Sequence, residues 1–88
     1  MQINEILRRQ SELDRIVIDA ARTGLKIKEL CGQKGINCSV LSEMLGFTSS
    51  QAIYNWTEGK TMPSLPNLMK ISCLLDVDIK DLVVLGLY

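Results

Sequence analysis

The sequence contains no histidine, which removes the commonest general base and the commonest zinc ligand. It has three cysteines, Cys31, Cys38 and Cys73, and none of them sits in a Cys-x-x-Cys pair. An odd count without paired spacing predicts reduced thiols in a cytoplasmic setting rather than a disulfide framework. Aromatic residues make up only 5% of the chain, so Phe47, Tyr54, Trp56 and Tyr88 each carry weight in packing. No apolar run approaches the ~20 residues that span a bilayer. The opening segment MQINEILRRQ lacks the apolar stretch of a secretory leader. There is no paired-carboxylate motif, phosphate loop or metal-ligand cluster, so an enzyme is not expected and neither is a cofactor. Net charge is also missing: ten basic residues balance ten acidic ones. A neutral chain is a poor indiscriminate polyanion binder, although the placement of its charges still decides what it can bind.

What is present is 47% hydrophobic residues in 88, enough for one small domain with a modest core. The apolar residues fall at helical spacing along most of the chain. Ile3, Ile6, Leu13 and Val17 predict a helix over roughly Asn4 to Arg15, and Ile16-Val17-Ile18 is β-branched enough to be extended instead. This segment reads as a helix or arm lying on the core, with a dimer contact as the sharper alternative. A second helix is expected from Asp19 to Lys34. Asp19 is its N-cap, Ala20, Thr23, Ile27, Leu30 and Cys31 form its inward stripe, and Gly35 ends it. Gly24 in mid-helix costs about 1 kcal/mol against alanine, which makes sense where another element packs closely.

The stretch Leu41 to Gly59 organises the rest. Asn37 caps a helix over Cys38 to Leu45 with Leu41, Met44 and Leu45 inward, and the helix must end at Gly46. Thr48, Ser49 and Ser50 offer caps for a helix over Ser50 to Glu58 with Ala52, Ile53 and Trp56 inward. Ser42, on the first of these helices, is expected to bond a carbonyl four residues back. A helix from Leu65 to Leu75 follows. Its cap is Ser64, Pro66 lies in its first turn, and its inner face is Leu65, Leu68, Met69, Ser72 and Leu75. A last helix, Ile79 to Val84, has Asp78 and Asp81 in a capping arrangement. The tail 85–88 is apolar and would be sticky if exposed. The expected organisation is therefore residues 1–18 as arm, 19–84 as an all-α domain of five short helices, and 85–88 as tail.

Residues 19–84 resemble a lambda-repressor-like helix-turn-helix domain of the XRE or Cro/cI type. The resemblance rests on Ile27, Leu30, Gly35, Leu41, Glu43, Leu45-Gly46, Ile53, Trp56, Gly59-Lys60, Pro63-Ser64, Leu68, Leu74-Leu75 and Asp81-Leu82. It implies a compact five-helix bundle. It also implies a double-stranded-DNA-binding transcriptional regulator, of repressor type, working as a homodimer in the cytoplasm. By position, Ser50, Gln51 and Asn55 match base-reading residues, with Tyr54 a groove-facing neighbour. Asn37, Lys60 and the Gly59 amide match phosphate-holding positions. The chain departs from the family pattern at Ser42, Thr57, Glu58, Cys31 and Cys38, and in one extra residue before Ile53.

The residues themselves point the same way. Gln51 and Asn55 lie four apart on one helical face, and an amide side chain can pair in bidentate fashion with adenine. Their bland reading is two solvated polar residues. Lys26 and Lys28 belong to a local basic excess on the first domain helix and, with Ser49 at a helix N-terminus, are expected at phosphates. Lys34 reads as solvated, and Arg8 and Arg9 as solvated or paired with Glu5 and Glu12. Trp56 reads as core, and Cys31 and Cys73 as small hydrophobes. The competing functions are a DNA-binding antitoxin with a protein partner and a helical interaction module that has lost DNA binding.

Overall fold

The structure, a computed structural model, describes residues 3–87. Its elements in chain order are α1 (Ile3–Leu13), β1 (Ile16–Ile18), α2 (Ala20–Gln33), α3 (Cys38–Met44), α4 (Gln51–Thr57), α5 (Leu65–Leu75), α6 (Ile79–Leu82) and β2 (Leu85–Leu87). The core gathers Ile27, Cys31, Leu41, Leu45, Ile53, Trp56, Leu68, Ile71, Leu75 and Leu82. Phe47 meets Trp56 edge to face, with ring centroids 5.9 Å apart, which locks the turn residue onto the helix behind it.

Local chemistry sets most of the helix boundaries. The Asp19 carboxylate accepts from the Arg22 N–H at 3.0 Å and caps α2. Gly35, at φ 73°, lets the chain reverse while Ile36 N–H returns to the Cys31 carbonyl at 2.9 Å. Asn37 caps α3 through Val40 N–H at 2.9 Å, and Ser64 caps α5 through Asn67 N–H at 3.4 Å. Asp78 stands at the head of α6, but its carboxylate makes no capping bond. The expected arrangement with Asp81 is replaced by a backbone bond from Asp81 N–H to the Asp78 carbonyl.

Three inward assignments change. Met44 is 55% exposed, Leu65 65% and Met69 49%. On α5 the apolar residues fit two stripes one position apart, and packing selects the one through Leu68, Ile71, Ser72 and Leu75. Gly24 behaves as expected of a mid-helix glycine under close contact. A Cβ there would overlap the Trp56 carbonyl oxygen and reach the Thr57 nitrogen at 3.0 Å.

The chain ends do not follow the all-helical expectation. α6 stops at Leu82 rather than Val84, because Val84 is taken into a different set of bonds. Its N–H donates to the fully buried Thr23 hydroxyl at 2.9 Å, and its carbonyl accepts from Asp19 N–H at 2.8 Å. Beyond it, β2 pairs antiparallel with β1, Ile16 opposite Leu87, Val17 opposite Gly86 and Ile18 opposite Leu85. Residues 85–87 of the apolar tail are thus a strand, with Tyr88 outside the described residues, and of the two readings of Ile16–Ile18 the extended one holds.

The buried thiol of Cys31 is pushed up by burial, and further by neighbouring Cys38, so it stays a neutral thiol near pH 7. No helix among the described residues is long and apolar enough to cross a membrane.

Candidate nucleic-acid interface

α3, the turn 45–50 and α4 form two helices joined at a sharp corner. Gly46 makes the corner at φ 79°, a backbone region that glycine enters without a Cβ penalty. One buried side chain ties the corner shut. The Ser42 hydroxyl donates to the Ser49 carbonyl at 2.6 Å, seven residues ahead, and not to a carbonyl behind it on its own helix. Ser42→Ala is therefore expected to lower stability by about 1 kcal/mol. A loss of roughly 4–8 °C in thermal midpoint would show it. An unchanged midpoint would mean the clamp contributes nothing.

Ser49 and Ser50 divide the roles left open by the sequence. The Ser49 hydroxyl accepts from Gln51 N–H at 3.4 Å, while Ser50 occupies the cap position without a side-chain bond. Ile53 and Trp56 hold α4 against the core at 1% and 4% exposure. That anchoring leaves Gln51 and Tyr54 exposed and Asn55 half-buried. Gln51 Nε2 donates to Asn55 Oδ1 at 3.0 Å. The bond uses one Gln51 N–H and the Asn55 oxygen, and leaves the Gln51 oxygen and the Asn55 amino group to an outside partner. One acceptor and one donor, held side by side, form the pattern that complements an adenine edge.

The cationic and capping residues are less unified than the sequence suggests. Lys28, Asn37 and Thr57 line one apolar-floored cleft of about 410 Å³ between α2, α3 and α4. Lys26 is two residues from Lys28, roughly 200° around the helix, so the two cannot face the same strand of a ligand. Asn37 Oδ1 is occupied by its cap bond. The Gly59 amide, matched by the resemblance to a phosphate position, already donates to the Trp56 carbonyl at 3.0 Å. Gly59 also serves close packing: at φ 73°, a Cβ would meet the Ala21 Cβ at 2.8 Å. Thr57, set aside in the sequence for its departure from the family pattern, borders the cleft and donates its hydroxyl to the Tyr54 carbonyl at 3.0 Å.

Lys60 is exposed and paired with Glu58, Nζ to Oε2 at 2.8 Å. The hydrogen bond first and the negative charge second push its pKa up, so the ammonium stays protonated at any ordinary pH. Its charge is nevertheless partly cancelled where a polyanion would need it. Glu58→Gln is expected to raise affinity for duplex DNA about threefold to tenfold and to steepen the salt dependence by about one phosphate. Equal salt slopes for the two proteins would show that Lys60 does not approach the backbone.

None of the curated proteins matches the chain. Among solved structures, it resembles the restriction-modification controller protein C.AhdI from Aeromonas hydrophila. The two are 25% identical with a TM-score of 0.64, and the match covers 73% of this chain and 96% of that one. It also resembles a candidate DNA-binding protein from Bacteroides fragilis, 29% identical with a TM-score of 0.60, covering 78% and 98% of the two chains. The helix-turn-helix family profile matches residues 27–82, from the buried Ile27 of α2 to the buried Leu82 that ends α6. With α3, the Gly46 corner and α4 at the centre of that span, the chain belongs to the helix-turn-helix family.

Proposed function

We propose that this protein is a transcriptional regulator that binds double-stranded DNA at specific sequences, as a homodimer and as a repressor. The reading is carried by the hydrogen-bonded Gln51–Asn55 pair on the outer face of α4, opposite the buried Ile53 and Trp56. A helix with this exposure fits the ~12 Å major groove, where base edges are distinguishable. Gln51 and Asn55 read bases, Tyr54 contacts a sugar or a thymine methyl beside them, and Ser50 lies at the groove edge. Lys28, Ser49 and Lys60 meet phosphates on the flanks. Asn37 and Gly59 shape the backbone that approaches them, and Lys26 meets a more distant phosphate.

The surface that reads bases has no cation of its own, and Lys60 is partly neutralised by Glu58. One copy would therefore make few phosphate contacts and bind weakly. Two copies double both the contacts and the sequence read, which favours a dimer on a near-palindromic site. Support also comes from the likeness to C.AhdI, a restriction-modification controller protein.

Selection of bound duplexes from a random library is the direct test. The expected product is an enriched motif with two inverted half-sites about one helical turn apart, ~10 base pairs. No enrichment at ~0.1 M salt, where specific complexes persist, would overturn the reading in favour of an interaction module.

A further inference from the structure

The arm, α1 with the β1–β2 ribbon, exposes far more than a chain of this size needs to. The molecule presents 6314 Å² of accessible surface. A folded monomer of 9.8 kDa exposes about 5,200 Å². The excess, about 1,100 Å², is larger than the roughly 800 Å² each partner gives up in a standard-size stable interface. Its radius of gyration, 15.6 Å, compares with about 12 Å for 88 compact residues, and the long axis reaches 50 Å. Much of the exposed apolar area lies on this arm: Leu13 is 64% exposed, Ile18 54%, Leu85 59% and Leu87 76%. α1 has no substantial packing partner among the described elements. An 11-residue helix and a three-residue, two-stranded ribbon are each marginal alone in water.

The open edge of β1 says what would cover it. Asp19 N–H bonds the Val84 carbonyl, and bonded pairs alternate along an antiparallel ladder. Val17 therefore bonds Gly86, and the N–H and C=O groups of Ile16 and Ile18 point to the unpaired edge. The strand reads Ile-Val-Ile, the same in both directions. A two-fold axis through Val17 brings Ile16 of one copy opposite Ile18 of the other, and each pair exchanges both hydrogen bonds.

We propose that a second copy of this chain docks on this edge, joining the two ribbons into one four-stranded sheet in the order β2-β1-β1-β2. Ile16, Ile18, Leu85 and Leu87 then lie on one face of that sheet in both copies, flanked by Leu13 of α1. Pairing identical strands gives a closed dimer, because each free β1 edge is used up by the other. The proposal supplies the dimer that the DNA-binding reading assumes, but it does not depend on DNA recognition.

The axis makes a sharp prediction. Val17 faces Val17 in a non-hydrogen-bonded pair, where Cα atoms lie ~4.5 Å apart, within disulfide range. In a Cys73→Ser background, Val17→Cys is expected to form a covalent dimer under glutathione redox buffer about tenfold faster than the more exposed control Leu87→Cys. Ile16→Lys with Ile18→Lys, both on exposed positions, is expected to raise the dimer dissociation constant about 100-fold or more by setting like charges opposite each other. Circular dichroism checks that the helices remain. The proposal is overturned if Val17→Cys cross-links no faster than the control, or if the double variant sediments as the same dimer as the parent. A dimer of this kind that enriches no DNA motif would leave the interface standing and remove the DNA reading. A monomeric double variant that still prefers the motif's half-site would keep both.

Discussion

Gly24→Ala is expected to cost more stability than any other single methyl group added to this chain. At an ordinary helix position, the change gains about 1 kcal/mol from propensity. Here the added carbon would overlap the Trp56 carbonyl oxygen and press on the Thr57 nitrogen at 3.0 Å. Both are backbone atoms, so no rotamer change relieves the clash. The Trp56 carbonyl is also tied to Gly59 N–H, and its ring is buried at 4% exposure against Phe47. α4 must then move away from α2, opening the packing around Ile27, Ile53 and Cys31. Overpacking into flexible side chains costs about 1–3 kcal/mol, and overlap with fixed backbone belongs at or beyond the upper end. A small domain has only about 5–15 kcal/mol in total. Urea denaturation should show a loss of at least ~3 kcal/mol net, or no cooperative transition at all. A variant as stable as the parent would mean that α2 and α4 do not cross this closely.

Gln51→Ala and Asn55→Ala are expected to abolish sequence preference while leaving the fold intact. Neither side chain belongs to the core, and their mutual bond is at the surface, so the stability change should stay within about 0.5 kcal/mol. A bidentate contact to a base contributes about 1–3 kcal/mol of discrimination, or roughly tenfold to a hundredfold per half-site. In a two-fold complex each substitution acts twice, so affinity for the selected duplex should fall by about a hundredfold or more. The weak, salt-dependent binding to unrelated duplex should survive, because it depends on Lys28 and Lys60. Fluorescence anisotropy on matched and scrambled duplexes separates these outcomes. An intact preference in both variants would place base reading elsewhere. The coupling between the two amides adds a subtler expectation: either substitution alone should lose most of the effect of both, since each positions the other.

The helices of the central domain were legible because each is specified locally. Asp19, Asn37 and Ser64 cap the helices they precede, and Gly35, Gly46 and Gly59 sit at positive φ where helices end. The i+4 spacing of Leu41 and Leu45 along α3 and the i+3 spacing of Ile53 and Trp56 on α4 follow from 3.6 residues per turn. Short-range geometry alone therefore determined the helix-turn-helix and the outward face of α4. What sequence spacing could not decide was which of two overlapping stripes α5 turns inward, since either satisfies the helical period. Nor could it pair Ile16–Ile18 with Leu85–Leu87, almost seventy residues away, or give Thr23 its bond to Val84. Three-residue strands carry no periodicity of their own, and their identity depends on what lies beside them. Ser42 shows the same divide at short range: its hydroxyl was expected to bond a carbonyl four residues back, but the folded corner put the Ser49 carbonyl 2.6 Å away instead. The sequence alone determined the outward polar face of α4 and the buried side chains that support it. Tertiary structure decided that the chain ends meet in a ribbon with an open edge, because that depends on which distant groups the folded chain brings together.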